Sequence, residues 1–281
     1  MRWIGRKQST NVEDRRGSTP KKIVGGGCGT IIIVLIIWML GGNPLEFLSN
    51  TQVGEQSSVS NYQGTAEENE MAQFVSVVLG DTEDVWNLLF QQSGMTYREP
   101  KLVIYTEAVQ SACGYSSAAT GPFYCPADEK VYIDLSFLQE MQTRFQAPGD
   151  FAAAYVIAHE VGHHVQKLLG INDQIMAYRG RVSQREFNQL MVRLELQADF
   201  LAGVWAHHAE RINKILEEGD IEEAMNAASA VGDDRIMKRT QGYVVPDAFT
   251  HGTSEQRTRW FLKGFQTGDM NQGDTFSASS L

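Results

Sequence analysis

Hydrophobic residues follow three patterns along this chain, and each predicts a different kind of element. The most conspicuous is a run without charged side chains at residues 23–42. About 20 residues of helix span roughly 30 Å, the hydrocarbon thickness of a bilayer, so this run predicts one transmembrane helix. The alternatives are a buried core helix and a cleaved signal peptide. No small-x-small cleavage site follows Leu40, but Gly41 and Gly42 leave cleavage open.

The second pattern is helical and the third is that of strands. Helices are predicted where apolar residues recur at spacings of three and four behind a capping residue, and strands where β-branched and aromatic residues cluster. The predicted helices cover residues 65–79, 81–94, 135–145, 150–170, 183–209, 220–231 and 254–265, and the predicted strands cover residues 101–106 and 130–134. Asp233 and Asp234 are interpreted as a cap rather than as part of a site.

Polar stretches separate these elements into regions. Residues 1–22 are polar and basic and predict a mobile arm, and residues 43–64 predict a linker. The polar residues 268–281 predict a disordered tail. Residues 65–267 are therefore expected to form the folded domain.

The predicted helix at residues 150–170 is apolar nearly all round, which indicates a buried helix, and it carries His159, Glu160 and His163. Residues four apart lie on one helical face, so both imidazoles can reach one metal ion, and zinc accepts neutral imidazole nitrogen. Glu160 is then placed to take a proton from water at the metal. Gly162 inside this helix suggests close approach of another segment or of substrate. The alternative is an ordinary polar turn with two hydrogen-bonded histidines.

A third ligand is predicted one helix later. Glu195 and Asp199 are four residues apart, so their carboxylates share a helical face. A neighbouring apolar stripe makes unpaired carboxylates there costly. We assign Glu195 to the metal and Asp199 to the second ring nitrogen of a ligating histidine. The alternative is a solvated acidic face.

Charge is distributed unevenly along the chain. The formal net charge is −10, yet residues 1–42 contain seven basic and two acidic side chains, which leaves −15 for residues 43–281. An acidic domain of this kind does not favour nucleic acid as a partner. Basic residues before the apolar run predict a cytoplasmic N-terminus and a catalytic region on the outer side of the membrane.

The cysteines agree with that orientation. Cys28 lies within the apolar run, which leaves Cys113 and Cys125. In an oxidising compartment these two are expected to form a disulfide. Two buried free thiols are the alternative.

At the metal motif the chain resembles a known family. The sequence HEVGHH followed by ELQAD resembles a gluzincin, in which two helical histidines and a glutamate bind zinc. Its beginning, MRWIGRKQSTNVEDRRG, the segment CGYSSAATGPFYCPADEKVYIDLSF and the segment FTHGTSEQRTRWFLKGF are similar to the bacterial "putative neutral zinc metallopeptidase" family. The resemblance implies an α+β fold: a mainly helical zincin-like domain with a small β-sheet, preceded by one transmembrane helix. It also implies a bacterial inner membrane location, with the domain periplasmic or extracellular.

The resemblance extends to residues outside the motif. In zincins an edge strand upstream of the metal helix pairs with substrate, which implies this role for residues 131–134, although an ordinary sheet strand is the alternative. Membrane gluzincins of the CAAX-protease type have a similar histidine and arginine, with Pro where this chain has Gly252. His251 is thus assigned to oxyanion stabilisation and Arg257 to holding local structure; both being scaffold is the alternative.

Together these features predict a single-pass zinc metallopeptidase that holds one Zn²⁺ through His159, His163 and Glu195, with Glu160 as general base. Its partners would be a peptide or protein substrate and, through residues 23–42, the lipid bilayer. A membrane-tethered binding or chaperone-like protein with a structural or latent zinc site is the alternative. Glu160 argues against it, because a closed structural site needs a fourth protein ligand and no base.

Overall fold

The computed structural model describes residues 1–18, 62–117, 121–143 and 147–281. Helices account for most of the described residues, and the strands are short. The strands are β1 (Val12–Asp14), β2 (Lys101–Tyr105), β3 (Ala108–Ser111), β4 (Gly114–Ser117), β5 (Phe123–Cys125) and β6 (Lys130–Asp134). The helices are α1 (Ala66–Gln92), α2 (Leu135–Thr143), α3 (Asp150–Leu168), α4 (Ile171–Met176), α5 (Gln184–Asn213), α6 (Asp220–Ala230), α7 (Asp233–Gln241) and α8 (Ser254–Thr267).

Helix α1 is continuous where the sequence predicts two helices separated at Gly80. Its capping box is the predicted one, with Thr65 and Glu68 bonding each other's backbone N–H groups. The chain crosses α1 at Gly80, where a Cβ atom would lie 3.3 Å from the carbonyl oxygen of Lys7. Gly80 is therefore explained by this crossing rather than by a break in the helix.

The larger sheet has the order β1-β2-β6-β5. Strands β1, β2 and β6 are parallel, and β5 runs antiparallel to β6. Strand β6 is thus paired on both sides, and its assignment as a substrate-binding edge is wrong. Among the described strands, β5 ends the sheet on the side next to α3.

The smaller sheet is the hairpin of β3 and β4, and a disulfide connects it to β5. Cys113 in the hairpin turn is bonded to Cys125. This confirms the predicted disulfide. The bond fixes the hairpin to the strand at the end of the larger sheet.

The transmembrane helix expected at residues 23–42 falls outside the described residues. Within the part of the chain that the structure describes, every helix is too short or too polar to cross a bilayer. The fold class is corrected on this point to a mainly helical domain with a small sheet. The membrane localisation that depended on this helix is contradicted by the same finding.

The N-terminal residues show why the predicted topology fails. Met1–Arg16 and Gln63–Leu281 form one compact unit, in which β1 pairs with β2. A single crossing between these segments would put paired strands on opposite sides of a membrane. The basic arm is instead held by acidic partners. The amino group of Met1 lies 2.5 Å from Asp150 and 3.4 Å from Asp220, and the guanidinium of Arg6 pairs with Asp81.

The C-terminal segment Gly268–Leu281 is packed, although its composition predicts disorder. Arg193 donates to the carbonyl oxygens of Thr275, Phe276 and Ala278, and the buried Thr275 hydroxyl returns a hydrogen bond to the Arg193 carbonyl. Because these bonds engage backbone carbonyls, they need no particular apolar pattern in the segment. Hydrophobicity therefore gave no signal of its order.

Helices α5 and α8 meet through two glycines. A Cβ atom on Gly264 would lie 2.0 Å from the carbonyl oxygen of Phe200, and one on Gly203 would lie 2.1 Å from that of Phe261. Backbone touches backbone at both points. This contact presses α8 against the helix that carries Glu195.

We expect Gly264→Ala to lower the free energy of unfolding by about 1–3 kcal/mol, because the added methyl group forces the two backbones apart. Urea denaturation measures the change. The control is Gln266→Ala, an exposed position on the same helix, where stability should change little. Equal stabilities for the two variants would show that the helices separate without cost.

Candidate metal centre

Three ligand atoms meet where α3 crosses α5. The Nε2 atoms of His159 and His163 lie 3.2 and 3.4 Å from the two carboxylate oxygens of Glu195. One ligand atom from each of the three residues lies within 4.8 Å of the others. Two imidazoles and one carboxylate are a donor set that zinc uses in catalytic sites. The described residues therefore fit a zinc ion.

A glycine allows the two helices to approach this closely. A Cβ atom on Gly162 would lie 3.0 Å from the carbonyl oxygen of Ala198 and 3.3 Å from its Cα. The approach of another segment that Gly162 predicts is thus made by α5. Glu195 is three residues before Ala198 on α5, so the close approach of the two helices brings its carboxylate to the two histidines.

Behind His159 lies a buried ionic network. Its Nδ1 is 2.8 Å from Asp199 Oδ1, and Arg257 donates to both Asp199 oxygens at 2.8 and 2.9 Å. The hydroxyl of Tyr155 also donates to Asp199. Asp199 accepts the Nδ1 proton and leaves Nε2 free to face Glu195. The structure brings Asp199 to the second ring nitrogen of His159 and Arg257 to Asp199.

The carboxylates and the cationic groups of the centre shift each other's pKa values. Burial lowers the pKa of His159, but the nearby Asp199 and Glu195 carboxylates outweigh it and raise this pKa to about 10. Burial raises the pKa of Asp199, but Arg257 and His159 lower it to about 2. Burial raises the pKa of Glu195, but His163 and His159 together outweigh it and hold this pKa well below its ordinary range. The same carboxylates would attract a metal cation.

Glu160 is buried, with 8% of its surface exposed. No hydrogen bond or ion pair of its carboxylate occurs within the described residues. It is close enough to His163 to act electrostatically on that ring. A carboxylate that has no protein partner beside a metal centre is available to exchange protons with a bound molecule.

His251 lies on the loop between α7 and α8, and its side chain is 49% exposed. Its Nδ1 is 3.1 Å from Asp233 Oδ1, and its charge acts on Glu195. Asp233 Oδ2 accepts the backbone N–H groups of Thr250, His251 and Gly252 at 2.7, 2.7 and 3.1 Å. Asp233 therefore shapes this loop, and its interpretation as a cap is wrong because α7 has no side-chain cap.

The remaining histidines lie in structural contacts. His164 joins α3 to β5 through the Tyr124 hydroxyl at 3.0 Å and to the Arg98 carbonyl at 2.6 Å. His207 and His208 each bond a backbone carbonyl, of Phe265 and Gly268 respectively, at 2.8 Å. None of the three belongs to the ligand cluster in the described part of the chain.

Three residues of the centre were missed in the sequence. Tyr155 lies four residues before His159 and Gln166 three after His163, so helical spacing places each on the ligand face. That spacing was a usable signal for both. Asp233 is separated from His251 by 18 residues, and no local pattern connects the two.

A mainly helical domain that brings together an H-E-x-x-H helix and a glutamate from a second helix has the donor arrangement that zinc-dependent hydrolases use. The comparison with known families agrees. The chain belongs to the family described as "Putative neutral zinc metallopeptidase", whose model matches residues 1–276.

Relatives occur in distant bacteria. The chain is 49% identical to the uncharacterized protein YpfJ of Escherichia coli K12 over 289 aligned residues, which cover 99% of this chain and 100% of that protein. It is 39% identical to the uncharacterized protein Rv2575 of Mycobacterium tuberculosis H37Rv over 256 residues, covering 86% and 83% of the two chains. No solved structure matches the chain.

Proposed function

We propose that this protein hydrolyses peptide bonds with one zinc ion held by Nε2 of His159, Nε2 of His163 and the carboxylate of Glu195. The convergence of these three groups within 4.8 Å is the observation that carries the proposal. The cluster supplies three donors within the described residues, whereas a closed structural zinc site uses four. A zinc ion held by these three donors would retain a position for water or substrate.

Zinc in such a site supplies a Lewis acid that acidifies water and polarises a carbonyl group. Glu160 takes the proton of the attacking water on a carboxylate oxygen. The same carboxyl group then gives that proton to the nitrogen of the leaving amine, which breaks the peptide bond and regenerates the carboxylate. Asp199 keeps the Nδ1 proton of His159 in place during these transfers.

His251 stabilises the negative charge that develops on the carbonyl oxygen. Asp233 accepts its Nδ1 proton and orients the ring, so that Nε2 is the atom free to donate. Burial lowers the pKa of His251, but Asp233 and Glu195 raise it above its ordinary value. A protonated ring donates to an oxyanion more strongly than a neutral one.

Substrate would bind as an extended peptide along β5. Among the described strands, β5 ends the sheet on the side next to α3. The hydroxyl of Tyr124 on β5 lies 3.0 Å from Nδ1 of His164, the residue that follows His163 on α3. A strand in this position can pair with a peptide backbone of any sequence.

The test uses the full-length chain, because residues 1–16 are part of the domain. Zinc content is measured first, and cleavage of a random peptide library by the same sample is then followed by mass spectrometry. One zinc per chain together with cleavage that a chelator abolishes supports the proposal. Zinc that binds without cleavage of any library peptide would refute peptidase activity.

For His251→Ala we expect kcat to fall about 100-fold with zinc content unchanged, because a charged donor to the oxyanion is removed while the ligands remain. Peptide turnover and zinc content are measured on one preparation. The control is His208→Ala, whose ring contacts the Gly268 carbonyl away from the ligands. Equal kcat values for the two variants would exclude a role of His251 in the reaction.

A further inference from the structure

A chain of hydrogen bonds leads from His163 to the C-terminal segment. His163 Nδ1 lies 2.9 Å from Gln166 Oε1, and Gln166 Nε2 lies 2.7 Å from the Leu194 carbonyl oxygen and 3.1 Å from Gln197 Oε1. Gln197 Nε2 in turn donates to the Gly273 carbonyl at 2.9 Å. Gln166 is completely buried. A single buried amide thus touches a proposed metal ligand on one side and α5 on the other.

Backbone carbonyls fix the orientation of both amides. A carbonyl oxygen only accepts, so the group of Gln166 that faces Leu194 must be its NH₂. Its oxygen then faces His163, and the ring must donate from Nδ1. The carbonyl of Gly273 sets the orientation of Gln197 in the same way. The direction of every bond in the chain therefore follows from two backbone groups.

We propose that Gln166 is a positioning residue of the metal centre, which holds His163 with its proton on Nδ1 and its Nε2 lone pair directed at the metal. This inference rests on the proposed zinc site and adds to it the means by which the second histidine is oriented. Gln197 and the Gly273 carbonyl keep Gln166 in place. The segment Gly268–Leu281 thereby contributes to the metal centre without touching it.

The two histidines are supported in different ways. His159 is oriented by a carboxylate that is itself neutralised by Arg257, whereas His163 is oriented by a neutral amide. A second carboxylate at position 166 would face two acceptors, the Leu194 carbonyl and Gln197 Oε1. A glutamine supplies the acceptor that His163 needs and the donors that its other neighbours need.

Two substitutions separate positioning from general support of the fold. Gln166→Met removes the acceptor for His163 at similar volume. Gln166→Glu keeps that acceptor but places a buried carboxylate against two other acceptors. If Gln166 only supports the fold, Gln166→Glu should weaken zinc binding more than Gln166→Met does. If Gln166 positions His163, Gln166→Met should weaken zinc binding more.

The experiment measures zinc affinity of the full-length variants by competition with a chelator, and the thermal midpoint of their zinc-free forms. We expect Gln166→Met to weaken zinc binding 10–100-fold, in the range found for groups that orient metal ligands. Gln166→Glu should weaken it less than Met does, although its zinc-free form melts at the lower temperature. Exposed Gln189→Met is the matched control and should bind zinc as the unmodified protein does.

Proton NMR of the zinc-loaded proteins gives a second readout. The Nδ1 proton of His163 should exchange slowly in the unmodified protein and in Gln166→Glu, and rapidly in Gln166→Met. Equal zinc affinities for Gln166→Met and Gln189→Met would overturn the inference. His159→Ala distinguishes the two proposals. If His159→Ala and Gln166→Met both bind zinc normally, the metal site and the role of Gln166 are both rejected. If His159→Ala loses zinc and Gln166→Met does not, only the role of Gln166 is rejected.

Discussion

Replacing Glu160 with Gln is expected to reduce peptide turnover by about 10²–10⁴-fold while one zinc ion stays bound. Gln has nearly the shape of Glu but cannot take a proton from water or return one to the leaving amine. The ligands His159, His163 and Glu195 are unchanged, so metal binding should persist. Turnover and zinc content are measured together on the full-length protein.

The matched control for this substitution is Glu218→Gln, which makes the same chemical change at an exposed position. It should retain full turnover. If Glu160→Gln turned over peptide as fast as this control, Glu160 could not be the general base. If Glu160→Gln lost its zinc, the loss of turnover would instead follow from a damaged metal site.

Replacing Arg257 with Met is expected to lower the free energy of unfolding by about 3–5 kcal/mol, because it leaves a buried carboxylate without its cation. The side chain of Arg257 is 4% exposed and that of Asp199 is fully buried. Chemical denaturation of the zinc-free protein measures the effect without the contribution of metal binding.

Arg259→Met provides the comparison two residues further along α8. Arg259 pairs with Glu255 on the surface, where both side chains are largely exposed, and its removal should cost about 0–1 kcal/mol. Similar losses of unfolding free energy in Arg257→Met and Arg259→Met would show that the buried network adds no more stability than a surface ion pair. Adding Asp199→Asn to Arg257→Met should recover part of the loss, since the unpaired charge is then gone.

The sequence predicts the candidate residues that each helix presents by itself. His159, Glu160 and His163 follow from a spacing of four residues, and Glu195 follows from a carboxylate pair beside an apolar stripe. The same reasoning applied to Gln166 would have placed it on the ligand face. Helical periodicity determines which residues share a face, and this information is present in any single sequence.

Contacts between distant segments could not be obtained in this way. Asp233 reaches His251 only because α7 and the following loop fold back on each other. The N-terminal arm and the C-terminal segment are polar, so their composition predicts disorder, yet ion pairs and backbone carbonyls order them. The position of β6 inside the sheet depends on β5, which an analysis of hydrophobic runs did not recognise as a strand.

The place of β1 in the sheet has a consequence for synthesis on the ribosome. Residues 1–16 are synthesised before the segments that they contact, and one partner of the Met1 amino group, Asp220, follows 219 residues later. At 5–20 residues per second, the interval is roughly 10–45 s. During that time β2, the partner of β1, is already synthesised, but α6 is not. Completion of this fold must therefore follow translation of α6.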